Sequence, residues 1–204
     1  MLLIVKPNAI IILLAGMILC LLVAHIAGQV SVYYFGFNSD MQLVRLFDLD
    51  REVNVPTLFS TVILLLSSLC FVAIACAKKI VQNRYFFHWA GLALLFLFLS
   101  ADEALSFHET LIRPLQRVLG TSGVFHFAWV VPYGIGVIIL ALLYLKFLIH
   151  LPKKPRVLIT LAGLIYVSGA LGFEMIAGPV VEWYAAGSSL QSYSSARSKN
   201  SWRW

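Results

Sequence analysis

The sequence predicts an all-α integral membrane protein, and both its composition and its hydropathy pattern indicate this class. Of the 204 residues, 61% are hydrophobic and 12% are charged, whereas a soluble domain carries about 25% charged residues. Five apolar stretches reach the roughly 20 residues that a helix needs to cross the hydrocarbon core. Each stretch is expected to be helical, because hydrocarbon offers no hydrogen-bond partner to the backbone. A lipid bilayer is therefore the expected partner of this chain.

The five predicted spans form one polytopic membrane domain over residues 1–178, and a polar tail at 179–204 is expected to be disordered. The first span has an apolar run longer than that of a signal peptide and no cleavage site after it, so we interpret it as uncleaved. The predicted helices cover 8–28, 57–77, 85–111, 124–150 and 157–178.

Basic residues predict the orientation, because Lys and Arg concentrate on the cytoplasmic side of membrane proteins. Eight of them flank one set of helix ends (Lys6, Lys78, Lys79, Arg84, Lys146, Lys153, Lys154 and Arg156), and four flank the opposite set (Arg45, Arg51, Arg113 and Arg117). The N-terminus is therefore expected in the cytoplasm. Because these clusters lie between apolar runs, they explain the net charge of +6 without nucleic acid as a partner.

One long connection, residues 29–56, joins the first two predicted spans. Polar residues stand there at every second position: Asp48, Asp50, Glu52 and Asn54. Alternating oxygen ligands are typical of a calcium-binding loop, but the turn glycine and the distal glutamate of that motif are missing. An exposed acidic loop is favoured over a cation site.

The third predicted span carries ionisable residues at one end: Asp102, Glu103, His108 and Glu109. Charged groups in hydrocarbon are costly, so they usually face a bundle interior, a water-filled cavity or one another. On a continuous helix, one polar line would contain Asp102, Ser106, Glu109 and Arg113. Pro114 is expected to end or kink that helix.

Ionisable residues on other predicted helices lie at the depth of Asp102, which is about 24 Å along its span. These residues are His25, His126 and Glu174. We expect the side chains at this depth to converge on one side of the membrane. Such a convergence of ionisable groups is the strongest functional indication in the chain.

Three hypotheses for this cluster stay open. The first is a structural network of hydrogen bonds and ion pairs. The second is a site for a proton, an ion or a small polar ligand, built from Asp102, Glu103, His108, Glu109 and Glu174. The third is a metal site, in a membrane-embedded metal-dependent hydrolase or another metal protein, with ligands from His25, His108 and His126. A non-enzymatic role is favoured, and no cofactor other than that metal ion is expected.

Two stretches resemble a family of uncharacterised bacterial multi-pass membrane proteins. One is an outer-loop pattern, F-x-L-D-x-E-x-N-x-P followed by S, and the other is a helical pattern, S-x-D-E-x-x-x-x-H-E. The matching positions are Phe47, Leu49, Asp50, Glu52, Asn54, Pro56 and Ser60, then Ser100, Asp102, Glu103, His108 and Glu109. The resemblance covers about residues 45–178 and implies a bacterial cytoplasmic (inner) membrane location, with no assigned activity. A homo-oligomeric or membrane-complex partner stays open.

Two further likenesses bear on these expectations. The segment SFHETL is similar to part of a helix in alkaline-ceramidase-like membrane hydrolases, although those have seven spans and a further His pair that this sequence lacks.

Proteins similar to the first family continue after the Glu-Met of the fifth helix with L-E-E-x-L-E-M-x-G and another apolar helix. Codons that can encode Ala196–Trp204 give E-E-Q-E-L-L-E-M when read two bases later. We therefore expect a six-helix bundle that is truncated or out of frame at its C-terminus.

Overall fold

The computed structural model describes residues 7–200 of the chain. Within that range the regular structure is helical and no strand occurs. Five helical segments are long and apolar enough to cross a membrane, which confirms the predicted all-α membrane fold. The chain forms two compact units, Met1–Ser106 and Phe107–Trp204, and each is described by itself.

The first unit contains three long helices and one short one. They are α1 (Pro7–Phe35), α2 (Gln42–Leu46), α3 (Val55–Ile80) and α4 (Phe86–Leu105). Helix α1 continues past the predicted end at residue 28, because no Pro or Gly interrupts the segment from Gln29 to Phe35. The connection that follows is correspondingly shorter than predicted, and it contains α2.

Helices α3 and α4 pack against each other as an antiparallel pair and form the core of the first unit. Two serine hydroxyls donate hydrogen bonds across this interface: Ser68 to the carbonyl of Ala93 at 2.7 Å, and Ser100 to the carbonyl of Thr61 at 2.9 Å. Small polar side chains allow helices in a membrane to approach closely and to bond to each other. The buried apolar residues of the pair are Leu64, Ala75, Trp89, Leu92 and Ala93.

Ser106 ends α4, so the single helix predicted at 85–111 is wrong. Its backbone is left-handed, with φ 52° and ψ 41°, and its N–H donates to the carbonyl of Asp102. A left-handed residue after the last helical turn is a common way for a helix to stop. Its hydroxyl also donates to the carboxylate of Glu52, a tertiary bond that the sequence pattern could not reveal. The polar line predicted through Ser106 therefore does not lie on one continuous helix.

The second unit also differs from the predicted helix bounds. Its elements are α5 (Phe107–Leu119), a 3-10 turn (Gly123–Phe125), α6 (Val130–His150), α7 (Lys153–Val167), a π turn (Ser168–Gly172) and α8 (Phe173–Asn200). Helix α5 continues through Pro114 instead of ending there. The predicted fourth helix begins as the 3-10 turn and becomes α-helical only at Val130.

The predicted fifth helix is longer at both ends. Helix α7 begins at Lys153 because Pro155 lies in its first turn, where the missing proline N–H has no helical partner to lose. The tail predicted to be disordered from residue 179 is helical as far as Asn200, since Ala, Leu, Gln and Arg in this segment are good helix formers. The last four residues, 201–204, lie outside the described residues.

Candidate functional site

The centre of the polar structure in the first unit is Asp48, which is 9% exposed. One carboxylate oxygen accepts the N–H of Asp50 at 3.2 Å and lies 3.5 Å from the amide nitrogen of Gln29 on α1. The other oxygen lies 3.4 Å from Nε of Arg51. A buried carboxylate needs such partners, because burial without them carries a large desolvation cost. Asp48 therefore ties the loop after α2 to α1.

Asn54 completes this structure at the start of α3. Its side-chain oxygen accepts the N–H and the hydroxyl of Thr57, at 3.0 and 3.1 Å. Its amide donates to the carbonyls of Asp48 at 2.5 Å and Arg51 at 2.7 Å. Asn54 is thus an N-cap whose amide also closes the preceding loop. We call Asp48, Arg51, Asn54 and the groups bonded to them the Asp48 network.

His25 joins the Asp48 network from α1. Its Nδ1 lies 3.1 Å from the backbone nitrogen of Leu49 and 3.4 Å from a carboxylate oxygen of Asp48. These two contacts conflict, since the first needs a bare Nδ1 and the second needs a proton there. The shorter contact, to an amide that always carries hydrogen, assigns Nδ1 as the acceptor of the Leu49 N–H. His25 therefore anchors the loop, and its Nδ1 is engaged.

The alternating loop residues do not share one environment, so the prediction of an exposed acidic loop is wrong for half of them. Asp48 and Asn54 are buried, Glu52 is half-buried and accepts from Ser106, and Asp50 is exposed. A spacing of two residues puts side chains on one side of an extended strand, but residues 49–54 form turns and bends, so these side chains point in different directions. The inward pair bonds to backbone groups, which periodicity alone does not identify.

A cleft of about 480 Å³ opens beside the Asp48 network. Its volume falls in the range of small-molecule sites, roughly 300–1,000 Å³. Arg51 on its wall forms an ion pair with Asp40 at 3.3 Å. In the part of the chain that the structure describes, the guanidinium of Arg45 has no ion-pair partner. The cleft is lined by Asp40, Gln42, Arg45, Leu46, Arg51, Glu52, Val53 and Asn54.

Two predicted site residues lie on α4, one turn before its end. Asp102 is buried, at 6% exposure, and Glu103 is half-buried. Asp102 also provides the backbone carbonyl that caps α4 at Ser106. Both acids thus lie near the end of α4 that is bonded to the loop through Glu52.

The second unit has its own polar structure, built on Glu182 of α8. The two carboxylate oxygens accept the N–H of Gly123 at 3.0 and 2.9 Å, and one lies 2.9 Å from Nδ1 of His126. The side-chain amide of Gln116 on α5 donates to the carbonyl of His126 at 2.6 Å. We call these four residues the Glu182 cluster. It fastens the segment between α5 and α6 to α8.

Gly178 permits this attachment, because the 3-10 turn passes directly over its Cα. A Cβ at this position would overlap the carbonyl oxygen of Gly123 and would lie 2.9 Å from Cβ of His126. Real Cβ atoms essentially never come so close to a heavy atom. A side chain here would therefore push the turn away from α8.

The remaining predicted site residues of the second unit are His108, Glu109 and Glu174. The ring of His108 lies 4.9 Å from the ring of Trp129, Glu109 is exposed and Glu174 is half-buried. Glu109 and Arg113 are both exposed and form no ion pair within residues 7–200. In the same range no group of three or more His, Cys, Asp or Glu side chains could hold a metal ion. The metal hypothesis stays a prediction.

Sequence reasoning missed three positions on which these polar structures depend. Glu182 had a visible signal, an acidic residue in an apolar helix, but the predicted helix ended before it. The inward turn of Asp48 and the close approach at Gly178 depend on tertiary contacts. Neither position carries a local pattern that would identify it.

Of three comparisons with known proteins, only the one with family models gives a match. No curated protein and no solved structure matches it. One family, described as a domain of unknown function (DUF8692), matches residues 9–195. That match covers nearly the whole chain and includes both the Asp48 network and the Glu182 cluster. The protein is therefore a member of the DUF8692 family.

Proposed function

We propose that this membrane protein binds a small polar ligand with an anionic group in the cleft beside the Asp48 network. The observation that carries this proposal is the guanidinium of Arg45, which lines a cleft of about 480 Å³ without an ion-pair partner among the described residues. An unpaired guanidinium is a strong donor to carboxylate and phosphate groups.

The other charges around the cleft are already engaged. Asp40 pairs with Arg51 at 3.3 Å, and Glu52 accepts a hydrogen bond from Ser106. Both carboxylates of the lining thus have a partner, and Arg45 is the cation that an anionic ligand would meet. The amide of Gln42 adds a neutral donor and acceptor to the lining.

The wall of the cleft supports binding because the Asp48 network holds its shape without a ligand. Asn54 makes four hydrogen bonds at 2.5–3.1 Å, and Asp48 is bonded from three directions. A site that is formed before binding does not spend binding free energy on ordering its loop. A purely structural role for the network is the competing interpretation, and it predicts no ligand at Arg45.

The distribution of basic residues supports an orientation in which the cleft faces the outside of the cell. With the N-terminus in the cytoplasm, the segment between α1 and α3 lies on the outer side. Reporter fusions after Lys154 and after Ser188 test this orientation. We expect a cytoplasmic signal from the first and an external signal from the second, and the reverse pattern would contradict it.

A thermal-shift screen of the purified full chain tests the binding proposal. The probes are succinate, glycine, inorganic phosphate and glycerol 3-phosphate, which sample carboxylate, zwitterion and phosphate chemistry. At least one anionic probe should raise the melting temperature of the wild type, and Arg45→Gln should abolish that shift. Arg45→Gln should leave the melting temperature without probe unchanged, since the Arg45 side chain is exposed and forms no ion pair among the described residues.

Arg84→Gln is the matched control. Arg84 is also exposed, but it lies at the opposite end of the α3–α4 pair, where its guanidinium is 4.7 Å from the ring of Tyr85. This variant should keep the full probe-induced shift. A shift that survives Arg45→Gln, or a wild type that responds to none of the anionic probes, would contradict the proposal.

A further inference from the structure

Helix α5 takes no part in the proposed ligand cleft, and its exposed surface suggests a separate role. Its 13 residues are too few to cross a membrane, and it is not among the candidate spans. In the chain it connects α4 to the segment before α6, and both of those helices are candidate spans. A helix that connects two spans on the same side must lie at a membrane face.

Two contacts fix the inward side of α5. The ring of His108 lies 4.9 Å from the ring of Trp129, and Gln116 donates to the carbonyl of His126. Ile112 and Leu115 lie on the same side and are half-buried. At about 100° per residue, these four positions span about 100° of the helix circumference.

The outward surface of α5 is divided into two edges. On the apolar edge, Phe107, Leu111, Pro114 and Val118 lie within about 60° of one another. All four are exposed, Phe107 at 43% and Val118 at 81%. On the polar edge, Glu109, Thr110, Arg113 and Arg117 are exposed as well. A helix with an apolar edge beside a basic edge is typical of one that lies in the membrane interface.

We propose that α5 lies along the outer interface of the bilayer, with its apolar edge among the acyl chains and Arg113 and Arg117 on anionic lipid headgroups. The charge of the polar edge fits this partner, since two guanidinium groups outnumber the one carboxylate of Glu109. Arg113 and Arg117 lie one turn apart and form no ion pair among the described residues, so both are available to phosphate oxygens. Burial of the apolar edge removes Phe107 and Val118 from water.

Site-specific fluorescence tests this placement in proteoliposomes. The starting variant replaces Cys20, Cys70 and Cys76, all free and exposed, by Ala. A single new cysteine is then labelled with an environment-sensitive fluorophore, at Val118→Cys on the apolar edge or at Thr110→Cys on the polar edge. Acyl-chain nitroxide lipids should quench the label at position 118 several-fold more than at 110, and aqueous iodide should show the reverse. Equal quenching at the two positions would overturn the proposal.

A second experiment tests whether Arg113 and Arg117 contact anionic lipid headgroups. Lipid quenching at position 118 should increase when phosphatidylcholine vesicles contain phosphatidylglycerol, and Arg113→Gln with Arg117→Gln should remove that increase. Glu109→Gln is the matched control on the same edge, and it should keep the increase. Quenching that is the same in neutral and anionic vesicles would overturn the assignment of anionic headgroups.

Discussion

The Asp48 network and the Glu182 cluster each hold a loop, but they differ in the number of groups that do so. In the first unit, the Asp48 network uses several groups from α1, the loop and α3, so that the buried side chains of Asp48 and Asn54 each have several partners. In the second unit, the Glu182 cluster attaches the 3-10 turn mainly through one half-exposed carboxylate and the absence of a side chain at Gly178. The first loop should therefore be rigid, whereas the second should be fastened at one point.

This difference suits the positions of the two loops. The rigid one forms the wall of a cleft, where a fixed shape favours binding. The other connects α5 to α6, and its attachment to α8 through one carboxylate leaves that connection easier to displace. Variants that remove one attachment at a time can therefore distinguish a distributed network from a point contact.

The largest loss of stability is expected from Asn54→Ala. It removes the N-cap of α3, the side-chain donor to the carbonyl of Arg51 and one of the two donors to the carbonyl of Asp48, at a cost of about 2–4 kcal/mol. Chemical or thermal unfolding of the detergent-solubilised protein measures this loss. Asn38→Ala is the control in the connection between α1 and α2, because Asn38 is exposed and its side-chain oxygen accepts the N–H of Asp40, also exposed. Similar losses for the two variants would count against a distributed network.

Gly178→Ala should have the next largest effect. The new Cβ would overlap the carbonyl oxygen of Gly123, so the turn must move, at a cost of about 1–3 kcal/mol. Gly163→Ala on α7 is the control, since nothing lies within 4 Å of a Cβ at that position. This control should be neutral or stabilising by up to about 1 kcal/mol. Equal stability of the two variants would show that the position of the 3-10 turn does not depend on the absence of a side chain at Gly178.

A smaller effect is expected from Glu182→Gln, about 1 kcal/mol, because glutamine still accepts from Gly123 but loses the charge. Hydrogen exchange should become faster in residues 120–129 and stay unchanged in residues 47–58. Glu109→Gln, at an exposed acid of the same unit, should leave both segments unchanged. Faster exchange in residues 47–58 would contradict the separation of the two structures.

The smallest change should come from Val53→Asn, and it should be stabilising. Val53 has φ 57° and is 82% exposed, a conformation that is strained for a β-branched side chain. Asparagine tolerates this region, so the free energy of unfolding should rise by about 0.5–1 kcal/mol. A decrease in thermal stability would indicate that the Val53 side chain has a contact that outweighs the strain.

The sequence predicted the helical membrane fold well because length and hydropathy determine it. It predicted loop chemistry poorly, since the contacts of Asp48 with Gln29 and with the N–H of Asp50 depend on the folded loop and have no sequence signature. Ser106 illustrates the same limit: serine has no strong preference for a left-handed conformation, and its bond to Glu52 crosses 54 residues. Glu182 differs, because an acidic residue in an apolar helix is a recognisable signal. It was missed because the predicted helix ended at residue 178.

The central claim is that the loop between α2 and α3 is an ordered frame around the ligand cleft. Hydrogen exchange of the ligand-free protein in lipid nanodiscs tests it most directly, by comparing residues 47–58 with residues 120–129. We predict that 47–58 exchanges much more slowly, because the N–H groups of Leu49, Asp50 and Thr57 are bonded to side chains, and that Asn54→Ala removes this protection. Exchange of 47–58 at the rate of an unstructured peptide would contradict the claim.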